Sequence, residues 1–323
     1  MQRLITSIQE NTVKDSDACR IFHGRGHCYS GLEFITIDWY SPVLLISLYK
    51  EPDPEWLQSF IQKLAVFNDH KAINNILLQY RYLPNAPSEN IKGELSGDYY
   101  AHEKNLKFCL NFTSNQNVGF FLDMKNCRES LRKKAQGKSI LNLFSYTCAF
   151  SVVAAQAGAK KIVNIDMAKG ALNTGRNNHK INSNINNKSN DKNDNKTNAI
   201  DMRSVSFLSH DIFKSWGKIK KQGPYDIIIA DPPSYQAGSF DIKKDYSKIV
   251  KRLPDLLTES GLVFACVNSP DLGFDFLRHL FLREQLFTES EIIAPPTSFP
   301  DTDINRGLKT LIFKKSTLNL PVS

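Results

Sequence analysis

The sequence predicts an α/β fold, a parallel, doubly wound sheet from residue 113 onward with a small α+β domain over residues 35–112 before it. Three observations carry this. In the second part of the chain, apolar strand-like runs alternate with helix-spaced runs, the mark of βαβ units. The first part reads instead as strand, strand, helix, strand, strand. At 323 residues the chain is long enough for two domains, or for one large domain with an appendage.

The residues before Cys19 are polar and irregular and read as an arm, so residues 1–34 are expected to form an N-terminal arm and a strand–turn. Phe34 to Trp39 and Val43 to Tyr49 are β-rich runs split by Ser41-Pro42. Pro54 to Phe67 places Trp56, Phe60, Leu64 and Phe67 at helical spacing, and Ile76 to Tyr82 and Asn105 to Phe112 supply two more strands. Beyond these, Ile140 to Phe144 is an apolar strand, and the helix Ala149 to Ala157 stops at Gly158. Lys161 to Ile165 is the next strand and Ala168 to Lys180 the next helix. Strands follow at Ser204 to Ser209, Tyr225 to Ala230 and Gly261 to Val267, with a closing pair at Phe287 to Ile293 and Leu308 to Phe313. One segment breaks the order: Asn182 to Asn198 holds eight Asn in 17 residues and reads as a solvated insert, because it cannot bury enough apolar area to offset its ordering entropy.

Composition narrows the function. With 41% hydrophobic and 23% charged residues the chain can bury a substantial core, and no apolar run approaches the ~18 residues of a membrane span. Membrane and disordered-tail classes are excluded. Lys+Arg number 41 against 33 Asp+Glu, a net charge of +8, which favours a polyanionic partner. The six cysteines form no CxxC pair and no metal-like spacing, and no apolar leader opens the chain, so a reduced cytoplasmic setting without a metal is expected.

The chemistry concentrates at strand ends. Asn142-Leu-Phe-Ser-Tyr-Thr-Cys-Ala-Phe150 sits at the carboxyl end of the first strand of the parallel sheet, where ligands of such sheets bind. Asp166 ends the second strand; a carboxylate there either takes both hydroxyls of a ribose or caps the next helix. Asp211 ends the third strand, placed to accept from an adenine amino group. The fourth ends in Asp231-Pro232-Pro233-Ser-Tyr235. That run is either a plain turn or a base reader, in which Asp231 and a proline carbonyl accept from a base amino group while Tyr235 stacks on the ring.

These motifs, in this order, resemble the class I S-adenosylmethionine-dependent methyltransferases that modify bases of large-subunit ribosomal RNA, from about Arg20 to the C-terminus. Arg20-Ile-Phe-His-Gly-Arg-Gly, Gly31-Leu-Glu and Ile37-Asp are similar to the family's strand–turn signature, and Tyr40 to Phe112 to its small RNA-binding domain. Asn117-Val-Gly-Phe-Phe-Leu-Asp123, followed by Arg128, is similar to the segment that opens its catalytic domain. The resemblance implies a Rossmann-like class I methyltransferase sheet over residues 113–323. It also implies S-adenosylmethionine as cofactor, held by Asn142, Phe144, Ser145, Tyr146, Thr147, Asp166, Met167, Asp211 and Asp231, with Phe121, Asp123 and Arg128 at its methionine end. Catalysis would fall to Asp231, Pro232, Pro233, Tyr235 and Asn268, and the partner would be large-subunit ribosomal RNA, bound by a monomer or homodimer.

Three features depart from that family's pattern. Cys148 stands where a Gly is usual, which is expected to set a side chain beside the ligand. With fewer than 20 residues before Arg20, the RNA-binding barrel of some relatives is not expected, and the basic stretch after the Asp-Pro-Pro run is shortened to Gln236 through Lys244. RNA phosphates are then expected at Arg132 to Lys138 and Lys214 to Lys221, basic segments with no matching acid in their sequence, unless these are simply solvated faces.

The acceptor atom is read from the strand Gly261-Leu-Val-Phe-Ala-Cys-Val-Asn268. C5 of a pyrimidine needs a thiolate to add to the neighbouring carbon, whereas a ring nitrogen has its own lone pair. In relatives that make 5-methylcytosine the nucleophilic Cys lies about seven residues after the Gly; here that position is Asn268, and Cys266 lies inside the apolar run. The expectation is therefore a purine ring nitrogen, guanine N7 first. A 5-methylcytosine enzyme, a protein or small-molecule methyltransferase, and a non-catalytic RNA-binding relative are the alternatives.

Overall fold

The computed structural model describes residues 1–113, 117–185, 200–236, 239–283 and 285–316, with the backbone alone at 184 and 185. The chain divides into two compact units, Met1–Leu122 with Pro296–Asp303, and Asp123–Pro295 with Ile304–Ser323. Among the described residues no helix is long and apolar enough to cross a membrane.

In the first unit the elements are α1 (Gln2–Asn11), β1 (Cys19–His23), β2 (Ile35–Tyr40), β3 (Val43–Leu48), α2 (Pro54–Leu64), β4 (Asn75–Tyr80), β5 (Ser88–Lys92), β6 (Tyr99–Glu103) and β7 (Leu106–Leu110). Strands β1 to β5 form one sheet in chain order. Only β3 and β4 pair in parallel, because α2 carries the chain back over the face between them. Helix α2 starts where the Asp53 side chain accepts from the Trp56 N–H and Pro54 presets the first turn. Its buried Phe60 and Leu64, with Phe67, pack on the interior faces of β2, β3 and β4.

The expected irregular arm is corrected here. Residues 2–11 form α1, whose Leu4, Ile5 and Ile8 recur at helical spacing and are buried in the first unit's core. With only three apolar positions among polar ones the stripe was too narrow to separate from a polar leader by sequence alone. Gly26 is a close approach: a Cβ there would lie 1.7 Å from the Pro300 carbonyl oxygen, and the Thr302 N–H donates to the Gly26 carbonyl at 2.9 Å. This is how Pro296–Asp303 joins the first unit.

The second unit holds α3 (Lys125–Lys134), β8 (Ser139–Leu143), α4 (Ala149–Gln156), β9 (Lys161–Asp166), α5 (Lys169–Ile185), β10 (Val205–Ser209), α6 (Trp216–Gln222), β11 (Tyr225–Ala230), β12 (Tyr235–Gln236), β13 (Phe240–Asp241), α7 (Ile242–Val250), β14 (Leu257–Asn268), α8 (Phe274–Leu282), β15 (Phe287–Ile293) and β16 (Leu308–Lys315). Seven strands form one sheet in the order β10-β9-β8-β11-β14-β16-β15, parallel from β10 to β14 and antiparallel for the last two. All residues of β8 are buried because helices cover both faces, which is why these strands read as unbroken apolar runs. The chain lays β8, β9 and β10 outward, then returns to place β11 on the other side of β8. That reversal makes the tips of β8 and β11 the switch point, where such sheets bind ligands.

The Asn-rich insert begins later than expected. Helix α5 continues to Ile185, and Asn182 is buried, its Nδ2 donating to the Asn178 carbonyl at 2.7 Å. Residues 186–199 lie outside the described residues.

Candidate active site

The tip of β8 turns over residues 144–148, and three of these L-residues are left-handed: Phe144 at φ +54°, Tyr146 at +46° and Cys148 at +62°. Each such residue costs roughly 1–2 kcal/mol, so the turn persists only because its surroundings fix it. Asp166 is the main fastener. One of its carboxylate oxygens accepts from the Tyr146 N–H and the other from the Ala168 N–H, both at 2.8 Å. Both sequence readings of Asp166 are thereby compatible, since it steadies the start of α5 and keeps acceptor lone pairs to spare. Met167 beside it is 48% exposed, an apolar side chain offered at the strand tip.

Beneath the turn lies a ladder of buried polar groups. Asn142 Nδ2 donates to Asn164 Oδ1 at 3.0 Å, and Asn164 Nδ2 donates to Ser151 Oγ at 2.9 Å. Ser151 Oγ lies 2.8 Å from His179 Nε2. Burial pushes the His179 pKa down to about 3, so the ring is neutral and shares a single hydrogen bond with Ser151 through Nε2. Its Nδ1 is buried without a partner among the described residues, and the Phe207 ring lies edge-on at 5.4 Å. Asn142, expected to hold the cofactor, therefore has its amide inside the sheet. The reason is topological: β8 is a central strand, and a side chain before its tip meets a neighbouring strand or helix.

Cys148 corrects a second expectation. Its side chain is fully buried and faces α5, where a Cβ on Gly175 would stand 2.5 Å from Sγ. A glycine on the facing helix makes the room that the missing glycine in the turn would have left, so the ligand face of the turn stays free of this side chain. Burial drives its thiol up to about 12. Ser145 and Thr147 also point inward, and the Thr147 carbonyl accepts from Asn178 Nδ2 at 2.9 Å. Phe144 packs edge-on against Phe240 at 5.1 Å, leaving Tyr146 half-buried above Asp166. Asp211 caps its own turn, accepting from the Phe213 N–H at 2.8 Å.

At the tip of β11 the acidic groups converge. Burial and the nearby Asp123 carboxylate push Asp231 up to about 7. Asn268, at the end of β14, donates from Nδ2 to Asp123 Oδ2 at 3.1 Å, and its carbonyl accepts from Ser234 Oγ at 2.6 Å. Sequence reasoning did not find Tyr246, whose buried hydroxyl donates to the Ala230 carbonyl at 2.9 Å and fixes the residue before Asp231. The helical spacing of Ile242, Tyr246 and Ile249 was the available signal. Pro232 is buried, Pro233 half-buried, and Tyr235 stands 70% exposed on β12. Arg128 is buried on α3, while Phe121 falls in the first unit, where it is exposed.

Cys266 is sealed in the core beside Cys127. It accepts from Thr310 Oγ1 at 3.6 Å, and its neighbour Cys127 together with burial drives the thiol well above its usual range. The basic segments also separate. Lys134 pairs with Glu291 at 2.9 Å and Arg132 bonds Gln156 and Glu129, so the expectation of an unmatched segment fails there, the acids arriving from β15 and from the same helix. Lys214, Lys218, Lys220 and Lys221 are exposed, Lys214 lying 3.7 Å from Asp211.

The fit at Cys148 is directly testable. Gly175→Ala should destabilise the chain by about 1–3 kcal/mol in denaturant unfolding through overpacking. Adding Cys148→Gly should recover most of that loss, because it removes both the clash and the left-handed strain.

YwbD of Bacillus subtilis (strain 168), provisionally named a ribosomal RNA large subunit methyltransferase, is 29% identical over 272 residues, 81% of this chain and 63% of that protein. Ribosomal RNA large subunit methyltransferase K/L of Psychrobacter cryohalolentis is 33% identical over 175 residues, 53% of this chain and 20% of that protein. The chain thus spans less than two thirds of the length of these curated relatives. Among solved structures, a provisionally assigned SAM-dependent methyltransferase from Streptococcus mutans superposes with a TM-score of 0.77 at 25% identity, covering 97% of this chain and 79% of that one. SMU.776, solved in complex with SAH, gives 0.78 at the same identity and coverage. Residues 19–314 match a family described as S-adenosylmethionine-dependent methyltransferase, and the chain belongs to that family.

Proposed function

We propose that the chain methylates a base of large-subunit ribosomal RNA in the cytoplasm, at guanine N7. S-adenosylmethionine, the family's cofactor, supplies a methyl group on a sulfonium, and an acceptor with its own lone pair displaces it in line. The chain's work is to bind, align and exclude water. Asp166 accepts the ribose hydroxyls, Asp211 the adenine amino group, and Asp123 and Arg128 face the methionine end. What supports the fit is the turn at 144–148, whose strained backbone is held open at a strand tip by a carboxylate with lone pairs remaining.

The observation that carries the acceptor reading is the residue at the end of β14. Asn268, an amide tied to Asp123, stands there, while Cys266 is buried and protonated. A thiol held that way adds to no pyrimidine ring, which counts against the 5-methylcytosine alternative. Asp231 accepts from the N1 and N2 hydrogens of guanine, Tyr235 stacks on the ring, and Asn268 lies beside the base. The exposed lysines from Lys214 to Lys221 meet phosphate. The names of the relatives support ribosomal RNA as the substrate class.

Two measurements test this. Cys266→Ala should keep methyl transfer to RNA within a few fold, whereas Asn268→Ala should reduce it at least tenfold with cofactor binding intact; the reverse pattern rejects N7. The second is the pH profile of kcat/KM. Asp231 accepts from a base only when ionised, so activity should rise through pH about 7. Asp123→Asn removes the neighbouring negative charge and should move that limb to lower pH; an unmoved limb assigns it to another group.

A further inference from the structure

The first unit contains a cavity of about 590 Å³ that the methyl-transfer reading does not use. Its deepest polar group is Asn75 at the start of β4, only 4% exposed. Asn75 Oδ1 accepts from the Tyr99 hydroxyl at 3.3 Å, and that hydroxyl in turn accepts from the Ser96 N–H at 3.2 Å, which fixes the orientation of the amide. The opposite end of the amide, Nδ2, has no acceptor among the described residues. Nδ2 itself keeps solvent contact, so the donor is open to a ligand that enters the cavity. Gly93, left-handed at φ +69°, keeps the space before it clear, since a Cβ there would lie 2.8 Å from Nδ2 and 2.4 Å from the Asn74 carbonyl oxygen.

The rest of the lining says what kind of ligand fits. Glu94 and Asp98 present exposed carboxylates, Asp98 bonded only loosely, at 3.5 Å, by the Tyr100 hydroxyl. These repel phosphate and require N–H donors. Tyr99 and Tyr100 contribute aromatic rings to the same lining. Beside the Lys107 and His102 that also line it, the cavity offers the amide donor of Asn75, carboxylate acceptors and aromatic faces, and a complement to these three is a flat ring whose edge reads acceptor, donor, donor. Guanine has that edge: O6, then N1–H, then N2–H. Uracil and cytosine place an acceptor against the carboxylate, and adenine lacks the acceptor opposite the amide.

We propose that this cavity is a second guanine-binding site, built wholly from the first unit, in which Asn75 Nδ2 donates to O6, a carboxylate of Glu94 or Asp98 accepts from N1 and N2, and a tyrosine ring supports the base. It rests on the RNA reading above and adds to it a guanosine, unstacked from a single strand, that selects the substrate without being methylated.

The test is a calorimetric titration of the four ribonucleosides into the full chain saturated with SAH, in a Tyr235→Ala background that disables stacking at the acceptor site. Guanosine should bind at least tenfold more tightly than adenosine, cytidine or uridine. Glu94→Gln combined with Asp98→Asn, both at exposed positions, should weaken guanosine at least tenfold and leave SAH affinity unchanged. Equal affinities for the four nucleosides, no guanosine binding at its solubility limit, or guanosine binding unaffected by the double variant each overturn the proposal. The titration contains no RNA. A separate assay in which the chain methylates protein rather than RNA would therefore sink the RNA reading and leave the cavity to be judged on the nucleosides.

Discussion

Two hydrogen bonds from backbone N–H groups to one carboxylate, Tyr146 and Ala168 to Asp166, tie the first turn of the parallel sheet to the second. Bonds of this charge-assisted kind are about twice as strong as neutral ones, and here they offset a turn with three left-handed L-residues. The Asn142–Asn164–Ser151–His179 ladder under the turn leaves the tips of β8 and β9 little freedom to slide. Cys148 adds a wedge against Gly175 of α5. A rigid concave backbone at the switch point follows, and a cofactor bound there loses little to reorganisation.

On the other side of the switch point the economy is different. Asp231 sits beside Asp123 with its ionised form disfavoured, and the Asn268 amide is turned onto Asp123. The group at the tip of β11 is thus poised near neutrality, while the cysteine in the adjacent strand is committed to the core. Two neighbouring strands divide the roles: β11 offers a titratable acceptor, and β14 offers an amide. Positioning of a base that already carries a lone pair suits such an arrangement better than covalent activation does.

Much of this was legible in the sequence. Strand positions in the second unit fell within a few residues, because a sheet buried on both faces writes itself as apolar runs ending in polar tips such as Asp166 and Asp231. Local pattern could not say which way a tip residue points. Asn142 looked like a ligand because it opens the motif at the carboxyl end of the first parallel strand, yet its partner Asn164 is 22 residues away and appears only when β8 and β9 pair. The same limit hid the match between Cys148 and Gly175, and the acid that reaches Lys134 from β15. Helix α1 escaped because three buried residues in ten make a faint stripe, and β5 because its outward residues are exposed and polar.

The central claim is that a chain of this family aligns a lone-pair acceptor in RNA and forms no covalent bond to it. The most direct measurement is transfer of an isotopically labelled methyl group from S-adenosylmethionine to ribosomal RNA, followed by digestion to nucleosides and mass spectrometry. The account predicts that the label is recovered in 7-methylguanosine from the large-subunit RNA. Label in 5-methylcytidine, or in protein with none in RNA, would contradict it.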